Sequence, residues 1–127
     1  MPSDQDPRVP WYNPEGEVVV ATKTNEKPHK GKVLAAVQAH ADDIPFFCAG
    51  LCAKLIDEGY TAYLIQTTND EKCGPGTMGE TIAQNEREIE VLAAEIGFEQ
   101  VIHLGYRNHF LDEAAPTELR ARLIYLI

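Results

Sequence analysis

The stretch that most limits what this chain can become runs from Val33 to Asp43, Val-Leu-Ala-Ala-Val-Gln-Ala-His-Ala-Asp-Asp. Five apolar residues in succession lead into a histidine and two adjacent aspartates, and a helix-like pattern follows at once. A continuous apolar run of this kind reads as a buried strand of a parallel sheet. In open α/β sheets, ligands bind beyond the carboxyl ends of the strands. The pattern therefore predicts an imidazole and two carboxylates at the place where such folds carry out chemistry.

The rest of the chain extends this unit. Glu17 to Thr22 reads as an edge strand and Lys32 to Gln38 as the central one. Ile44 to Glu58 reads as a helix, with Pro45 suited to its first turn and Gly59 to a left-handed cap. Thr61 to Thr67 is the next strand, and Asn69 to Gly79 a glycine-rich loop. From about Glu80 to Ile96, the residues Ile82, Ile89, Leu92, Ala93 and Ile96 share one stripe at helical period, and Gly97 closes the helix. Gln100 to Leu104 is a strand, Gly105 to Pro116 is rich in turns, and a last helix begins near Thr117. Strands alternating with helices imply βαβ units, hence a Rossmann-like three-layer α/β fold with a mostly parallel sheet. Residues 1–16 hold four of the eight prolines and read as an irregular arm, with one domain from residue 17 to 127. The apolar, uncapped ending Leu123–Ile127 gives the expectation that the chain stops inside its domain, truncated before a C-terminal part.

Charge narrows the function classes. Eleven Lys and Arg stand against 20 Asp and Glu, a net charge of −9. Nucleic acid and anionic membrane surfaces call for a basic patch, so neither is an expected partner. No apolar run approaches the length of a membrane span. The N-terminus has no basic start or apolar core of a signal peptide, and three cysteines form no secreted framework. A reducing cytoplasm is the expected setting.

His40 and Asp43 lie three apart across a strand-to-helix turn, and both side-chain types are good zinc ligands. A catalytic zinc site also needs an open position for water and a base beside it, a part that Asp42 fits. The competing reading makes Asp43 a helix cap, Asp42 a solvated charge and His40 a core histidine. Cys48 and Cys52, four apart, read as a small buried pair, and Cys73 as an exposed thiol. The loop Cys73–Gly79 lacks the Gly-Lys-Ser/Thr ending of a phosphate loop and reads as a rim beside the site. A receiver-like module is disfavoured, because Ile102-His103-Leu104-Gly105 offers no phosphorylatable aspartate at a later strand end.

The ordered set of segments resembles the opening of the PIG-L/LmbE-like zinc deacetylases. Ala39-His40-Ala41-Asp42-Asp43 resembles the family's A-H-P-D-D, and Thr68-Asn69-Asp70-Glu71 the strand end that follows it. Arg87-Glu88-Ile89-Glu90 resembles its R-x-x-E, and Leu104-Gly105-Tyr106 its L-G-[YF]. The resemblance implies a zinc-dependent hydrolase removing an acetyl group from an N-acetylated amino sugar or its conjugate, a small-molecule substrate. It implies His40 and Asp43 as Zn2+ ligands, Asp42 as general base, and Arg87 as an arginine that orients substrate. It implies Asn108 as a substrate-binding residue, standing where the family carries an aspartate. Ala41 replaces the family's proline. The third zinc ligand of the family comes from a later histidine segment that has no counterpart in this chain. Of the later histidines, His103 reads as structural, while His109 stands at a strand end beside the site. The alternative is a non-catalytic Rossmann-like binding domain without a complete metal site.

Overall fold

The computed structural model describes residues 25–127. Three strands form one parallel sheet in the order β1-β2-β3: β1 is Val33–Gln38, β2 Thr61–Thr68 and β3 Gln100–Tyr106. The α/β class and the parallel pairing agree with the periodicity of the sequence. The arm at residues 1–16 and the strand expected at Glu17–Thr22 lie outside the described residues. Among the described residues, β2 is the central strand rather than β1, which pairs only with β2.

The helices that connect the strands cover one face of this sheet. Ile44, Cys52, Ile89 and Ala93 from the helical side meet Ala36, Ala62, Leu64 and Val101 from the strands in a single core, with Phe98 beside them. Side chains alternate across a strand, so Val33 and Val37 fall on the opposite face and are 66% and 46% exposed. The apolar run of β1 is therefore buried on one face only among the described residues.

The segment expected as one helix is two: α1, Asp43–Phe47, and α2, Ala49–Asp57. Cys48 between them has φ −149° and ψ 16°, outside the helical region. The run Phe46-Phe47-Cys48-Ala49-Gly50 is rich in weak helix formers, and the ladder breaks there. Gly59, just past α2, has φ +114°, and a Cβ there would come within 2.7 Å of the Lys30 backbone nitrogen. Only glycine fits that approach without a shift. Cys52 joins the core and Cys48 packs against it, which is the buried-pair reading of the two cysteines.

α3 is Met78–Ile96 and starts earlier than the apolar stripe indicated. Thr77 and Glu80 form a capping box: Thr77 Oγ1 accepts the Glu80 N–H at 3.2 Å, and Glu80 Oε2 accepts the Thr77 N–H at 2.9 Å. Two orphan donors of the first turn are satisfied reciprocally. Gly97 ends α3 in the left-handed conformation, φ +106°. A 3-10 turn at Leu111–Glu113 leads to α4, Pro116–Leu126, whose Arg122 donates to the Leu104 carbonyl at 2.9 Å. No helix among the described residues is long and apolar enough to cross a membrane.

The cap provides a check on this account of α3. Thr77→Ala is expected to lower the free energy of unfolding by about 1 kcal/mol, read by urea titration. A loss below a few tenths would mean that tertiary packing alone sets the helix start.

Candidate functional site

The parallel register aligns the carboxyl ends of the three strands. Gln38 pairs with Gln66, and Thr68 with Tyr106 after a register shift. His40, Asp70 and Asn108 each follow a strand's last residue by two positions. The site is assembled from these three chain exits.

The first exit carries the expected residues. Asp43 opens α1, and its Oδ2 reaches back to accept the N–H groups of Ala39 at 3.0 Å and His40 at 2.9 Å. The same oxygen lies 3.9 Å from His40 Nδ1. Asp42 is the N-cap residue of α1, yet its side chain makes no capping hydrogen bond. The carboxylate of Asp43 thus folds onto the turn, while that of Asp42 is left to the cavity. Beneath the turn, two buried glutamines lock it to the sheet. Gln38 Oε1 accepts the Ile44 N–H at 3.0 Å, Gln38 Nε2 donates to Gln66 Oε1 at 2.7 Å, and Gln66 Nε2 donates to the Ala39 carbonyl at 3.2 Å.

A cavity of about 330 Å³ opens beside this turn. His40, Ala41, Asp42 and Pro45 line one side, Asp70 and Cys73 the base, and Asn85, Glu88, Ile89 and Leu92 of α3 the opposite wall. His40 and Asp42 are therefore brought together at one cavity, with Asp43 adjacent. Burial pushes the Cys73 thiol above its usual value, and the charge of Asp70 adds to the push. Such a thiol is a poor nucleophile near neutral pH.

Two expected residues stand elsewhere. Arg87 is outside this cavity; it lines a neighbouring one with Cys73, Asn85 and Glu88, and donates to Gln84 Oε1 at 2.8 Å. On α3 the positions 85, 88, 89 and 92 share the helical stripe that faces His40, and position 87 is rotated off it. Glu90, three residues on, is turned away from Arg87: its Oε1 lies 3.3 Å from His103 Nε2. Asn108 is fully buried beneath the cavity, donating through Nδ2 to Asp70 Oδ1 at 3.2 Å and to Cys73 Sγ at 3.0 Å. Direct contact with a substrate, as expected for Asn108, is not what this geometry provides; Asn108 holds the base. His109 follows with φ +68°, and its ring stands perpendicular to that of His40 with centroids 6.4 Å apart.

Asp70 and Glu88 fall within the quoted motifs, but neither they nor Asn85 carried an expected role at the site. Asp70 was legible, since the rule that marks His40 at the end of β1 applies equally to the end of β2. Asn85 and Glu88 flank the apolar stripe of α3, and only the tertiary packing tells which flank faces the site.

Metal-ligand chemistry is present in part. His40 and Asp43 offer one imidazole and one carboxylate on a single turn, the donor types zinc takes. Among the described residues, no group of three or more His, Cys, Asp or Glu is placed to hold a metal ion.

The strand ends are also clamped by an ion pair. Arg107 binds Glu71 bidentately, Nη2 to Oε1 at 2.8 Å and Nε to Oε2 at 3.3 Å, and stacks on the Phe110 ring at 4.4 Å. The Arg107 hydrogen bonds hold the Glu71 carboxyl below its usual value, against the upward push of its burial. A carboxyl with a lowered folded-state pKa stabilises the fold above its unfolded titration point, and that stability is lost as pH falls through the folded value. Glu71→Gln is thus expected to lower the melting temperature at pH 7, with the gap to the parent closing as the pH falls below about 4. A gap independent of pH in thermal melts would sink the assignment.

The family described as PIG-L, GlcNAc-PI de-N-acetylase, matches residues 35–127. An N,N'-diacetylchitobiose deacetylase from Pyrococcus horikoshii, solved with its inhibitor MPG, superposes with a TM-score of 0.67 and 24% identity over 72% of this chain and 35% of its own. A 4-carboxy-2-hydroxymuconate hydratase from Pseudomonas putida superposes with a TM-score of 0.66 and 18% identity over 75% of this chain and 42% of its own. The chain thus spans well under half the length of either structure, and at these identities the likeness is one of fold. Among curated proteins, no sequence matches at a significant level.

Proposed function

The chain belongs to the PIG-L family of GlcNAc-PI de-N-acetylases, and from that premise we propose that it is the site-bearing part of a hydrolase that removes an acetyl group from an N-acetylated amino sugar or its conjugate. A deacetylase and a hydratase share the fold, so fold does not choose the chemistry. The observation that carries the reading is the turn itself: His40 and Asp43 side by side, and Asp42 uncapped at the cavity.

In this reading His40 and Asp43 would hold Zn2+, which would supply Lewis acidity toward the amide carbonyl. Asp42 takes a proton from the attacking water and returns it to the departing amine. Its carboxylate is suited to this because no backbone N–H of the helix start engages it. Glu88 and Asn85 offer an acceptor and an amide on the far wall, a match for sugar hydroxyls. Arg87 orients whatever part of the substrate extends over the neighbouring cavity. The three cysteines stand as free thiols, which fits a reducing, cytoplasmic setting.

Acetate release from N-acetylglucosamine conjugates by the zinc-loaded protein tests the proposal. Asp42→Asn is expected to cut turnover by about 100-fold or more, while bound zinc, measured by atomic absorption, stays at the parent level. Loss of zinc in step with activity would make Asp42 a ligand instead of a base. A parent protein that binds no zinc would leave the non-catalytic binding domain as the better reading.

A further inference from the structure

Asp70 is a non-glycine residue in the left-handed region, φ +53°, and only 2% exposed. That conformation is uncommon outside glycine, although Asp and Asn reach it more readily than other residues, and it is held where the surroundings over-determine it. Here they do. The Asp70 carbonyl accepts the Cys73 N–H at 2.9 Å and Asn85 Nδ2 at 3.3 Å. Its carboxylate is shared among the three strand exits. Oδ2 accepts the Ala41 N–H at 2.6 Å and Gln66 Nε2 at 3.3 Å, and Oδ1 accepts Asn108 Nδ2 at 3.2 Å. Ala41 sits between His40 and Asp42, so this carboxylate grips the middle of the turn on which all three proposed site residues stand.

We infer that Asp70 is the positioning residue of the site: through the Ala41 N–H it sets the angle between His40 and Asp43. The inference rests on the reading of those two as metal ligands. It also accounts for the amide at position 108. Asp70 and Asn108 form a donor–acceptor pair beneath the cavity, and an aspartate at 108 would set two carboxylates against each other at that spacing. Asn108 is the amide of a pair whose other member, Asp70, is the acid.

The test uses Asp70→Gly, Asn108→Asp and the exchanged double variant D70N/N108D. Glycine adopts φ +53° freely, and asparagine tolerates it as aspartate does, so the backbone at 70 is not challenged; thermal melts confirm folding. Two readouts are taken: the Ala41 amide resonance in the metal-free protein, and Zn2+ affinity by titration calorimetry. In Asp70→Gly the Ala41 amide proton is expected to shift upfield and exchange faster, and Zn2+ to bind about 10- to 100-fold more weakly. Asn108→Asp should weaken Zn2+ binding as well. The double variant, which rebuilds the pair with its roles reversed, should return to within about threefold of the parent. A folded Asp70→Gly protein with an unmoved Ala41 resonance and parental Zn2+ affinity overturns the positioning role. A double variant no better than Asn108→Asp overturns the exchange of roles. If the parent binds no Zn2+, the ligand reading fails by itself, and the Ala41 resonance still decides whether Asp70 holds the turn.

Discussion

When β1 leaves the sheet at Gln38, three consecutive backbone N–H groups, those of Ala39, His40 and Ala41, need acceptors in a half-buried place. Unpaired, each would cost about 1–3 kcal/mol. Two carboxylates meet the need. Asp43 folds back to take the first two, and Asp70 reaches across from β2 to take the third. The rest of the site follows from that arrangement. With Asp43 Oδ2 bonded to the backbone and Asp70 to the floor, Asp42 is the acid of this turn whose side chain caps nothing and lines the cavity.

The same logic joins the other two exits. Thr68 and Gln66 both direct hydrogen-bond donors to the Ala39 carbonyl, Asn69 donates its N–H to the Tyr106 carbonyl at 2.8 Å, and Asn69 Oδ1 accepts the Asn108 N–H at 3.2 Å. The Glu71–Arg107 pair adds a charged clamp between the same two loops. Polar networks in a low-dielectric setting are most stabilising when satisfied; in this one Asn108 Oδ1 is a buried acceptor left without a partner. Two residues bear left-handed backbone at its edges, Asp70 and His109. Strain of this kind collects where a site must be held in one shape.

Much of this was legible from residue order alone. The apolar run into Ala39-His40-Ala41-Asp42-Asp43 located the site, because parallel strands deliver their ends to a common edge. The stripe of Ile89, Leu92 and Ala93 located α3 and its buried face. The break at Cys48 was missed, since helix period survives one irregular residue. Arg87 was picked out by its neighbours in sequence, whereas the wall is set by which side of α3 turns toward His40. Asn108 was expected to bind substrate because the family resemblance places an aspartate there; its side chain is instead completely enclosed.

Local sequence by itself determined the strands, their parallel pairing and the turn bearing His40, Asp42 and Asp43. Those depend on period, capping and chain connectivity, which act over a few residues. Only the tertiary structure decided which polar groups share an oxygen. The pairings of Asp70 with Ala41 and with Asn108 span 29 and 38 residues. Their geometry comes from the strand register that stacks three exits together, a property of the packed sheet that no single segment encodes.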